Sequence, residues 1–109
     1  MKKDDTVFLR HILESIEFIE NYLVGVSLDE FLKNTEKQDS VVRRLEIIGE
    51  AVKNIEDDFK QKHADIPWKK IAGTRDILIH EYFGTDMMLV WDVAKNNLPE
   101  LKGQIKGLI

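Results

Sequence analysis

The feature that most limits what this chain can fold into is the spacing of its apolar residues. Leu9, Ile12, Ile16, Ile19 and Leu23 recur at steps of three and four. That spacing collects them on one face of a helix, which turns once in about 3.6 residues. The rhythm returns at Val41, Leu45, Ile48, Val52, Ile55 and Phe59. It returns again at Met87, Val90, Trp91 and Ala94, and continues through Leu98, Leu101, Ile105 and Leu108. No stretch shows the convincing alternation of a half-buried strand. The expected fold is all-α: an antiparallel four-helix-type bundle with extra short helical turns.

Polar and special residues punctuate these stripes. Gly25 is expected to end the first helix, since glycine readily takes the left-handed conformation after a last turn. Ser27 and Glu30 have the spacing of a capping box, which predicts a short helical turn over SLDEFLKN. The second long helix is expected to open near Asp39 or Ser40. A third covers IPWKKIAGTRDILIH, with Pro67 suited to a first helical position, where its missing N–H costs nothing. Gly73 weakens that helix or permits close packing. The fourth follows Gly84, with Thr85 as cap and Asp86 in the first turn, and Pro99 must kink or restart it. Connections are short apart from residues 25–39, and no repeat or flexible linker divides the chain. A single domain over residues 1–109 is expected.

Several kinds of chemistry are excluded by content. The chain has no cysteine, hence no disulfide, thiol nucleophile or Cys-based zinc site. G-x-S-x-G and G-x-x-x-x-G-K are both missing. A di-iron bundle needs Glu-x-x-His pairs, and none of His11, His63 and His80 follows a Glu at that spacing. Glu46 and Glu50 are read as partners for Arg43, Arg44 or Lys53. No metal or cofactor is expected. Trp68 and Trp91 are read as core or interface anchors, and His11 and His63 as solvent-facing. The charged start, MKKDDTVF, and the lack of a long apolar run predict a cytoplasmic protein with no membrane partner. A net charge of −4 argues against coating nucleic acid over the whole surface. It leaves room for a local basic groove, with Arg43, Arg44, Lys53, Lys69, Lys70 and Arg75 as candidates.

The segment RDILIHEYFG, residues 75–84, interrupts this plain picture. Asp76 and His80 fall one turn apart on a regular helix, and Arg75 lies about 140° around from His80. Asp76 can then orient or charge-stabilise His80. An ordinary helix end, with Arg75 and His80 on the last carbonyls and Tyr82 over the core, fits the same residues.

The arrangement R-x-x-x-x-H-x-Y in a small helical chain resembles the HEPN superfamily, and specifically the HepT-like toxins of prokaryotic toxin–antitoxin modules. VVRRLEIIGEAVKNI, IPWKKIAGTRD and VWDVAKNNLPEL are similar to that family's text, so the resemblance spans nearly the whole chain. It implies a metal-independent endoribonuclease acting as a homodimer, with its active site in a cleft between subunits. It also implies a cognate MntA-type nucleotidyltransferase antitoxin that transfers AMP to the motif tyrosine. On this chain Arg75 and His80 would be catalytic, Asp76 auxiliary and Tyr82 the modification site. Other readings of the motif are a non-catalytic subunit that docks substrate or nucleotide for a nucleotidyltransferase, and a purely structural dimerising bundle.

Overall fold

The computed structural model describes residues 3–80 and 87–109, with side chains over 5–74 and 87–109. The helices are α1 (Lys3–Leu23), α2 (Leu28–Lys33), α3 (Thr35–Asn54), α4 (Asp57–Lys62), α5 (Trp68–His80), α6 (Met87–Asp92) and α7 (Leu98–Lys106). A π-helical turn, Val93–Asn97, joins the last two. There is no strand among the described residues, and the architecture is the expected all-α bundle. Expectations for Tyr82, Gly84, Thr85 and Asp86 lie outside the described residues.

The stripes become the core. Leu9, Ile12, Ile16, Ile19 and Leu23 of α1 are buried, as are Val41, Leu45, Ile48 and Val52 of α3. α1 packs along α3, α3 along α5, and α7 returns against α1. Burying each such side chain is worth roughly 1.5–3 kcal/mol against leaving it in water, so these faces supply most of the driving force. Two polar residues of α1, Asp5 and Ser15, go in with them. The buried Asp5 carboxylate accepts a hydrogen bond from the Glu56 amide at 3.1 Å, which pins the start of α1 to the turn after α3.

The helix boundaries follow local chemistry. Gly25 takes a φ of 71° just beyond α1. Ser27 caps α2, its hydroxyl accepting from the Glu30 amide at 3.1 Å and donating to the Glu30 carboxylate at 3.2 Å. The second long helix starts earlier than Asp39 or Ser40. Asn34 ends α2 and opens α3, its side-chain oxygen accepting from the Lys37 amide at 3.0 Å. The same helix stops at Asn54, short of Phe59, which belongs to α4 and folds back into the core. Pro67 sits one position before α5, and its carbonyl accepts the first helical bond, from Ile71.

Pro99 neither stops nor sharply restarts the last rod. Val90, Ala94 and Leu98 are all buried at steps of four. In an α-helix two such steps would drift by about 80°. The wider π turn, in which the Leu98 N–H reaches the Val93 carbonyl, absorbs the excess just before the residue that has no N–H to give.

Candidate functional site

α5 is a single uninterrupted helix from Trp68 to His80. Its entry is fixed from the α4 side. The Trp68 indole donates to the His63 carbonyl at 3.0 Å, and its ring lies 6.3 Å from that of Phe59. His63 is partly buried rather than solvent-facing, with its ring 4.6 Å from Phe59. Gly73 does not interrupt the helix, and a Cβ there would meet nothing within 4 Å. Arg75, Asp76 and His80 therefore share one helical backbone, Asp76 and His80 being one turn apart. Their side chains, and Tyr82, lie outside what the structure describes.

Of the residues considered for a basic groove, Arg44 is occupied. Its guanidinium stands 4.0 Å over the Phe18 ring, a cation–π contact that ties α3 to α1. Arg43 lies 3.8 Å from Glu46, which accounts for Glu46 as the sequence predicts. Arg43, Glu46 and Glu50 join Phe8 and the exposed His11 in a groove of about 370 Å³ between α1 and α3. Lys69 and Lys70 lie elsewhere, in a shallower depression at the start of α5 that also takes in Lys60. Lys60 carries no periodic or motif signal, so only the fold reveals that it belongs with them. Trp68 is buried as a core anchor, and the half-buried Trp91 lies 5.4 Å from Phe31. Among the described residues no group of three or more His, Asp or Glu could hold a metal ion, and no helix is long and apolar enough to cross a membrane.

Comparison with known proteins decides the family. A model described as "Ribonuclease HepT-like" matches residues 12–108, which includes every helix from most of α1 to the end of α7. The chain belongs to the ribonuclease HepT-like family. It is 44% identical over 108 residues to a "probable ribonuclease HepT" of Thermococcus cleftensis, covering 99% of this chain and 98% of that one. It is 45% identical over 102 residues to a "putative RNase" of Caldanaerobacter subterraneus subsp. tengcongensis, covering 94% and 91% of the two chains. A third relative, a "gamma-glutamylcyclotransferase and putative RNase" of Methanocaldococcus jannaschii, is 50% identical over 105 residues. There the match takes in 96% of this chain but only 47% of the other, so the HepT-like chain spans about half of that relative's length. No solved structure matches the chain. The match to the family takes in α5, so the motif helix belongs to the shared part of the HepT-like chain.

Proposed function

We propose that this chain is a metal-independent endoribonuclease, the toxin of a toxin–antitoxin module. The observation that carries the reading is the pairing of a HepT-like family match over residues 12–108 with an unbroken α5 bearing Arg75, Asp76 and His80.

RNA brings its own nucleophile. A base removes the 2′-hydroxyl proton, the 2′-oxygen attacks the adjacent phosphorus, and the 5′-oxygen of the next nucleotide leaves with a proton from an acid. The products are a 2′,3′-cyclic phosphate and a free 5′-hydroxyl, and no water or metal is consumed. Histidine, with an ordinary pKa near ~6.5, serves as either base or acid around neutral pH. Arg75 stays charged and offers a planar fork to the phosphate oxygens as negative charge grows. The motif holds one histidine, whereas the reaction gains from both a base and an acid. A two-fold homodimer supplies two copies across one cleft. Asp76 would orient His80 from one turn away.

Tyr82 would be the control point, with a nucleotidyltransferase antitoxin of the MntA type as partner. AMP transferred from ATP to its oxygen, with release of pyrophosphate, places a bulky anion two residues from His80. It blocks the cleft and repels the RNA backbone.

The test is cleavage of total RNA and purified tRNA in EDTA, comparing the native protein with His80→Ala and examining the product ends. Cleavage with cyclic phosphate ends, lost in the variant, is the expected result. No cleavage by protein whose intact mass shows no attached AMP would overturn the reading and favour a non-catalytic docking subunit.

A further inference from the structure

Where α4 gives way to α5 the surface sinks into a shallow depression of about 720 Å³. Lys60, Lys69 and Lys70 line it, with Asp57 as the one carboxylate among the described residues of the lining, over Ile66 and Trp68. In a chain of net charge −4, cations here outnumber anions three to one. Lys69 and Lys70 are exposed and Lys60 is partly so. Among the described residues none of the three is drawn into an ion pair. The first turn of α5 opens onto the same depression. It adds amide N–H groups that have no helical acceptor, and the positive end of the helix dipole.

Helix register ties this depression to the motif. Around α5, positions 69, 76 and 80 fall within about 40° of one another, and position 80 lies about 16 Å along the axis from position 69. That span is a few nucleotides of a single strand.

We propose that the Lys60–Lys69–Lys70 depression holds the sugar–phosphate backbone of RNA beside the cleavage site at His80. The inference rests on the ribonuclease reading and adds to it the surface that gathers the substrate. Lysine is a point charge suited to phosphate, and phosphate contacts position a strand without reading its bases. Trp68, the one aromatic residue among the described residues of the lining, is buried, so its face is not open for base stacking. The depression contributes salt-sensitive affinity and no base preference.

The experiment measures binding of a labelled single-stranded RNA oligonucleotide across a salt series, in a His80→Ala background that removes cleavage. Lys60→Ala/Lys69→Ala/Lys70→Ala is compared with that parent and with a control of equal charge change, Lys33→Ala/Lys95→Ala/Lys106→Ala. Each phosphate contact on a single strand contributes about 0.7 to the slope of log affinity against log salt. The triple variant should therefore be shallower than its parent by about 2 on that scale, and the control should keep the parental slope. Lys69→Glu alone, at an exposed position, should move the slope the same way, so a folding defect in the triple variant does not decide the outcome. A parental slope in both Lys69→Glu and the triple variant, or an equal loss in the control, overturns the proposal. Where the protein with His80 intact cleaves RNA and the slope is unmoved, only the docking surface fails. Where the parent does not bind RNA and the His80-intact protein does not cleave it, the ribonuclease reading falls with it.

Discussion

The Trp68 indole N–H donates to the His63 carbonyl at 3.0 Å, so the first residue of α5 is tied back across the turn that delivers it. The tether sets where the helix bearing Arg75 and His80 begins. Trp68→Phe keeps a ring in the core and loses one hydrogen bond, while the His63 carbonyl still accepts from the Ile66 amide at 3.1 Å, and should cost about 0.5–1.5 kcal/mol. Trp68→Ala also opens a cavity and should cost about 3–5 kcal/mol, a large share of a domain's usual stability. Urea unfolding midpoints followed by circular dichroism separate the two effects.

A second tie predicts a pH response. Lys102 Nζ donates to Glu20 at 2.7 Å, joining α7 to α1. That hydrogen bond is the main cause that raises the Lys102 pKa above its ordinary 10.5; burial opposes it, and the charges of Glu20 and Glu17 reinforce it. A group whose pKa is raised on folding stabilises fully below its unfolded pKa and loses that contribution as pH rises through the folded one. The stability difference between native protein and Lys102→Met should be level from neutral pH to just below the ordinary lysine range, then shrink above it. Unfolding curves at stepped pH check this, and added salt should reduce the difference at neutral pH.

Replacing the proposed catalytic pair should abolish function and spare the fold. His80→Ala should lower the cleavage rate by about 10²–10⁴-fold, the usual worth of a positioned acid or base. Arg75→Ala should likewise lose activity, and both variants should keep their helicity by circular dichroism. Asp76→Asn, at the residue proposed to orient His80, should reduce the rate less and displace the pH–rate profile towards lower pH, the direction expected when a carboxylate that favours an imidazolium is neutralised.

Tyr82→Phe should separate activity from its control. The variant should cleave RNA like the native protein yet gain no AMP mass, and keep its activity, after incubation with the nucleotidyltransferase and ATP. Silencing of Tyr82→Phe under those conditions would locate the switch elsewhere.

Much of this architecture is legible in residue spacing alone, because a buried face leaves a periodic trace. The stripe from Leu9 to Leu23 is α1 as it stands. The failures have local causes. Between Asn34 and Ser40 the chain is polar throughout, so the first turn of α3 shows no apolar rhythm and betrays itself only through the Asn34 cap. Ile55 and Phe59 are four apart, which reads as helix, yet an extended break at Ile55 and a fresh start at Asp57 return Phe59 to the same core. Arg75 and His80 stand out in the sequence through the resemblance of R-x-x-x-x-H-x-Y to the family's text, since their helical spacing alone also fits an ordinary helix end. Lys60 is invisible as a neighbour of Lys69 and Lys70, since only a tertiary turn brings α4 beside the start of α5.

The π turn at Val93–Asn97 has the character of a tolerated one-residue insertion. Rewinding residues 93–97 as ordinary α-helix with every residue kept would rotate everything beyond it by about 80°, whereas deleting one residue there would leave the facing nearly unchanged. In the rewound helix Leu98, Leu101 and Ile105 would swing away from α1, and Lys102 would leave Glu20. The last rod thus carries its reading frame in its winding: the looseness of one turn, more than the identity of its residues, decides which side of the C-terminal segment is inside.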